Sequence, residues 1–285
     1  LRAFVAGALL ILALAAPFFH PNRIGLHAFY RGRLARAYPG AANPRSPASR
    51  ATEELPGDDF PITQLEHNRP VHLVCCAAND LTPFEPLASL QRGSDSAVLS
   101  PYAFSVGGCW RTWENQNPPT LAGAITASGA AFNSMMGAYS RKFGPASVFL
   151  MAALNLRLGR WHRHPHAPRR RPDGERLLPG VLFLKELFGM SSATGADVHL
   201  SDGGHFENMG MYELLRRRCR YILAADCGAD PDFAFDDVGN LVRRARDDFA
   251  IEIRIDLSPS VRVWSVMLNA LLDFGDEEGA RFGIA

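Results

Sequence analysis

The fold assignment turns on Val198-His199-Leu200-Ser201-Asp202-Gly203-Gly204-His205-Phe206-Glu207-Asn208-Met209-Gly210-Met211-Tyr212-Glu213-Leu214-Leu215. An apolar run stops at an acid, two glycines allow a tight turn, and an amphipathic segment running into Arg216-Arg217-Arg218 follows at once. The pattern predicts strand, sharp turn and helix. An acid at the carboxyl end of a parallel strand lies where open α/β sheets place their ligands, and paired glycines leave room beside it. Asp202 is therefore the first candidate for chemistry. An Asp in such a turn also caps a helix readily, so both readings stand at this level.

Downstream the pattern is regular. Met209 to Arg218 reads as a helix, Tyr221-Ile222-Leu223-Ala224-Ala225 as a buried strand, Val238 to Phe249 as a helix and Ile251 to Ile255 as a further strand. This alternation predicts right-handed β-α-β crossovers and a parallel α/β sheet covered on both faces. Asp226 also ends a predicted strand, with turn-making or capping its expected role. Of the residues after Asp202, Asn208 is expected to cap the helix, while His205 and Glu207 are open between shaping the site and capping.

Upstream, Val71 to Ala78 fits a buried strand whose Cys75 and Cys76 belong to the core. Ala97 to Phe104 is a second strand, broken at Ser100-Pro101, and Gly107-Gly108 is expected to turn. Between Thr120 and Tyr139 small residues dominate, which implies an element packed very closely on the sheet. Ser128 lies among them. A nucleophile elbow needs glycine two positions either side of its serine, but here stand Thr126 and Ala130, so Ser128 is not expected to be a nucleophile. Ala146 to Leu158 and Leu177 to Met190 read as apolar helices. Between them His162, His164 and His166, with Arg169-Arg170-Arg171, form a proline-punctuated loop, expected to touch anionic lipid or to be solvated. A metal bound by the three histidines would lack a local carboxylate or cysteine partner, so none is assigned.

The chain of 285 residues is 47% hydrophobic with a net charge of +1, which predicts a globular protein and argues against wholesale nucleic-acid binding. Five cysteines without a C-x-x-C pair indicate neither a disulfide framework nor a zinc site. Ala3 to Phe19 carries no charge and suits a short membrane-spanning helix. A signal peptide is the competing reading, but Pro17-Phe18-Phe19-His20-Pro21 offers no small-residue cleavage site. Arg23, Arg31, Arg33 and Arg36 follow the run and Arg2 alone precedes it, so the later residues are expected on the cytoplasmic side of an inner membrane. Phe29 to Leu34 suits either an interfacial helix or one packed on the globular part, and Tyr38 to Pro70 reads as linker or surface loop. The expected organisation is a transmembrane helix at 1–20, a juxtamembrane segment at 21–70, an α/β domain at 71–260 and a terminal segment at 261–285.

Leu200-Ser201-Asp202-Gly203-Gly204, with the following helix and Tyr221 to Asp226, resembles the D-G-G segment of patatin-like phospholipases and their cytosolic phospholipase relatives. The likeness is greatest to bacterial membrane-anchored members, in which a span precedes an arginine-rich segment like His27 to Arg31. It runs from about Pro21 to Arg254, and Ser201 to Arg218 is its most specific part. The resemblance implies a three-layer α/β hydrolase with helices on both faces of the sheet, a Ser-Asp dyad that needs no histidine or cofactor, and a lipid ester substrate. Asp202 would be the dyad acid. Gly203, Gly204, Ser128 and Gly129 would shape the site, the last two belonging to a small-residue segment that packs beside D-G-G. A hydroxyl nucleophile needs a base, and the acyl oxygen needs N–H donors. This chain has neither G-x-S-x-G nor a G-G-G-x-[KR] loop. Both lie N-terminal to D-G-G in the family, so they are expected on a missing N-terminal part, and the chain alone is expected to be inactive. The alternative is a non-catalytic, membrane-anchored module that binds lipid or protein.

Overall fold

The computed structural model describes residues 7, 18–23, 25–44, 54–81, 92–114, 117–167, 180–232, 234–256, 269–273 and 280–281. Most of the predicted membrane span, Ala3 to Phe19, lies outside them, and among the described residues no helix is long and apolar enough to cross a membrane. The chain divides into two compact units, Leu1–Phe206 and Glu207–Ala285.

The first unit is mixed α/β, built on a six-stranded sheet. Its strands are β1 (Val74–Asn79), β2 (Ser94–Leu99), β3 (Ala103–Val106), β4 (Cys109–Thr112), β5 (Arg160–Arg163) and β6 (Asp197–Asp202), in the order β4-β3-β2-β1-β6-β5. Every pairing is antiparallel, including β1 with β6 and β5 with β6, which corrects the expected parallel sheet. The physical reason is that β1 and β6 are buried along nearly their whole length. An apolar run reports cover on both faces, not strand direction. Turns at Ser100–Tyr102 and Gly107-Gly108 separate β2, β3 and β4 where the sequence breaks. The sheet also curls: Arg111 of β4 donates to the Ala167 carbonyl just after β5 at 2.6 Å, and Phe104 of β3 meets His162 of β5 at 5.7 Å between ring centroids. Arg160–Arg163, expected in a loop, is therefore an edge strand, because the prolines begin only at Pro165.

The helices are α1 (Leu26–Ala37), α2 (Leu121–Ser128), α3 (Ala138–Phe143), α4 (Pro145–Ala153) and α5 (Gly180–Leu187). The Thr120 side chain caps α2 by accepting the Gly123 N–H at 3.1 Å. Its small side chains let α2 lie directly on β1 and β6 while α1 covers its outer side. Val74, Cys76, Leu99, Phe104, Leu121, Ala124, Val198 and Leu200 form the core between them. Phe29 to Leu34 thus belongs to a helix packed on the unit, although Phe29 itself is exposed with Arg33 over its ring. Part of the expected linker is also packed. Asp58 is wholly buried and accepts the Leu55 N–H and the Asn43 amide, and Arg31 pairs with Asp59 at 2.6 Å. On the other face of the sheet, Met135, Trp161 and Leu182 form a smaller cluster.

The second unit contains α6 (Tyr212–Arg216), α7 (Asp236–Phe249) and an antiparallel sheet of β7 (Glu252–Asp256), β8 (Asn269–Asp273) and β9 (Ala280–Arg281). Tyr221 to Ala225 is not a strand: Tyr221 and Leu223 are exposed while Ile222 and Ala224 are buried, and no ladder forms. The β-α-β crossover expected through this segment is accordingly absent from the described residues. Asp226 closes a turn by accepting the Gly228 N–H at 2.8 Å. The remainder of the tail from Val261 lies outside the described residues.

Candidate functional site

β6 sends alternate side chains to opposite faces of the sheet. Val198, Leu200 and Asp202 share the face covered by α2, whereas His199 and Ser201 point to the other. Asp202 is the last residue of the strand and pairs with Cys76 of β1. The chain then enters a 3-10 turn, Gly203–His205, and Asp202 Oδ1 accepts the Gly204 N–H at 2.8 Å. The capping reading of this acid therefore holds for one of its two oxygens. Oδ1 caps the turn, while Oδ2 has no hydrogen-bond partner among the described residues, and the residue is half-buried.

The D-G-G turn and the small-residue segment meet at one backbone atom. A Cβ on Gly203 would stand 2.8 Å from the Cys75 carbonyl oxygen, so only glycine passes there without displacing backbone. The same carbonyl accepts the Ser128 hydroxyl at 2.6 Å, and the Ala130 carbonyl accepts the Asp202 N–H at 3.3 Å. Ser128 is thus tied to the main chain beside the acid, and its proton is already given to a carbonyl. Gly129 ends α2, and a Cβ there would find its nearest neighbours at ordinary contact distance, 3.5 Å.

Sequence reasoning missed a polar network on the opposite face. Asn79, at the end of β1, donates to the Ser201 hydroxyl at 2.9 Å and to the His199 carbonyl at 3.2 Å, and its Oδ1 accepts the Gly137 N–H at 2.6 Å. Ser201 Oγ meets His205 Nδ1 at 2.9 Å, and the His205 carbonyl accepts the Ser94 hydroxyl at 3.0 Å. Asn79, His199 and Ser201 are completely buried. The turn that carries Asp202 is consequently held from both sides of the sheet. The available signal was polar residues at every second position, Asp197, His199 and Ser201, within an apolar run.

Burial dominates the electrostatics. It lowers His199 to about 4, against the raising effect of Glu186, and it lowers His205 although Asp202 pulls the other way. Burial also pushes the Cys76 thiol well up, with Cys75 and Asp202 adding to it, so this cysteine is an inert core residue. All five cysteines are free thiols.

Other sequence candidates do not join the site. His164 Nδ1 accepts the His166 N–H at 3.1 Å and the two rings stack, and among the described residues no three potential ligands converge on a metal position. In the second unit Asn208 donates to Asp237 at 2.7 Å and caps no helix. Glu207 does the capping, accepting the Met209 and Tyr212 N–H groups at 2.6 and 3.0 Å. Compared with known proteins, the chain matches no family model, no curated protein and no solved structure.

Proposed function

We propose that this chain is the C-terminal portion of a membrane-bound, patatin-like lipid acyl hydrolase, with Asp202 as the acid of a Ser-Asp dyad. The observation that carries the reading is the division of labour within one carboxylate. One oxygen is fixed by Gly204 and the other is left for a nucleophile's hydroxyl, on a strand end anchored through Gly203, Ser128 and Ser201. A base must be held in one orientation to act repeatedly on the same proton, and this anchoring provides that.

In this reading the serine and the oxyanion donors come from the missing N-terminal part of the same protein. Within this chain Ser128 and Ser201 are each committed to a hydrogen bond, and Ser201 is fully buried. The substrate is a membrane lipid or lipid-like ester, and the globular part works at the cytoplasmic face of the inner membrane.

A fluorophosphonate probe, which labels activated serines, tests the proposal. The chain alone is expected to take up no label. The protein extended upstream through a serine elbow is expected to be labelled and to hydrolyse short acyl esters, with Asp202→Asn reducing hydrolysis by at least about a thousandfold while circular dichroism is unchanged. Activity retained in Asp202→Asn ends the assignment. Labelling of the isolated chain, abolished by Ser128→Ala, would instead make Ser128 the nucleophile. An extended protein that binds vesicles but shows no labelled serine would favour a non-catalytic lipid-binding module.

A further inference from the structure

Three consecutive helices of the first unit, α3, α4 and α5, present an apolar surface that is exposed among the described residues. Phe143, Phe149, Leu150, Leu154, Leu184 and Phe188 are between 39% and 66% exposed, and Phe149 and Phe188 face one another across α4 and α5 at 6.2 Å between ring centroids. α4 carries no charged residue at all. Single exposed apolar side chains are ordinary, but a run of them across packed neighbouring helices marks a contact surface.

Two observations identify the occupant. The first is charge. Arg141, Lys142 and Lys185 are the cations of these helices, and their single acid, Glu186, is buried against Arg157 at 2.9 Å. An apolar centre bordered by cations matches an anionic lipid surface, where ammonium and guanidinium groups reach phosphates from apolar stems. The second is the path of the chain. The uncharged run beginning at Ala3 leads into Phe19, whose ring lies 4.5 Å from Phe183 of α5, with the Arg157 guanidinium near both rings. Asn22 then fastens the segment to the edge strand, donating to the Trp161 carbonyl at 2.7 Å and accepting its N–H at 2.9 Å. The most apolar stretch of the sequence therefore joins the globular part at one of the helices that bear the exposed face.

We infer that the α3–α4–α5 face is a bilayer-contact surface that lies in the headgroup region of an anionic membrane and orients the unit against it. Phe149, Leu150 and Phe188 enter the acyl boundary, and Lys142 meets lipid phosphates at the rim. The inference rests on the membrane-bound reading above but not on hydrolysis, because binding is read without turnover.

The test uses the full chain with vesicles of phosphatidylcholine containing phosphatidylglycerol. A photo-crosslinking benzoylphenylalanine placed at Leu150 or at Phe188 is expected to join lipid, and the same group at exposed Trp110 is expected not to. The triple variant Phe149→Ser, Leu150→Ser, Phe188→Ser, with unchanged circular dichroism, is expected to partition onto these vesicles about tenfold more weakly or worse. Lys142→Gln is expected to weaken partition about fivefold on anionic vesicles and to leave neutral ones unaffected. Crosslinks from position 150 or 188 to residues 1–17 of the same chain, or to a second copy, overturn the inference by naming a different occupant. Absence of any lipid crosslink while the chain is vesicle-bound overturns it as well.

Discussion

At Gly203 the absence of a side chain is a steric requirement. Its missing Cβ would sit 2.8 Å from the Cys75 carbonyl, against backbone that has no rotamer by which to yield. Gly203→Ala is expected to destabilise the chain by about 1–3 kcal/mol, seen as a lower midpoint in urea. Gly129→Ala is the matched control. Its φ of −98° suits alanine and its neighbours stand at 3.5 Å, so stability is expected to be unchanged or to rise by about 0.5 kcal/mol. Two glycines from the same candidate site thus separate into one fixed by packing and one that only ends a helix. The sequence marked both equally, because a glycine's neighbours through space are not written beside it.

Among the elements, β6 shows most clearly what could be read in advance. Its end at Asp202, the turn that follows and the close packing of a small-residue element against the sheet follow from an apolar run, paired glycines and residue size; that this element is a helix did not. Strand direction did not, since a strand buried on both faces carries the same composition in either sense. Tyr221 to Ala225 shows the opposite failure: the run is apolar enough for a strand, yet nothing local reports whether a neighbour exists to pair with it. Asn79 and Ser201, 122 positions apart in sequence, had no local signature of their mutual hydrogen bond. The helix α5 is held in a similar long-range way. Glu186 accepts from Arg157 at 2.9 Å, from Ser134 at 2.8 Å and from the Trp161 indole at 3.2 Å, all while buried. Glu186→Ala leaves a buried guanidinium without its carboxylate and is expected to cost about 3–5 kcal/mol, with the urea midpoint as readout. The double change Arg157→Met, Glu186→Leu is expected to recover much of that loss.

For the molecule as a whole, buried histidines, His27, His162 and His199, contribute to the loss of stability in acid. Burial lowers His27 to about 4, despite the bond from Nδ1 to the Leu158 carbonyl, and His199 to about 4. In the unfolded chain such groups bind a proton near pH 6.5, so the unfolded state holds more protons than the fold between these values and stability falls as pH falls. Each of the two is expected to remove about 1–2 kcal/mol of stability between pH 7 and pH 5, with most of the loss complete near pH 4. His27→Gln, His199→Gln should flatten that slope in urea titrations taken at successive pH values. β1 is a central strand, but one of its two partners, β6, arrives about 120 residues later. During synthesis β1 can pair with β2 long before β6 leaves the ribosome, and its other edge then waits as open backbone, the arrangement that invites pairing between chains. A chain stopped short of Asp197 is accordingly expected to aggregate, and one released after Phe206 to remain dispersed, when the two are compared by light scattering. The strand that carries Asp202 is in this sense also the closing seam of the sheet.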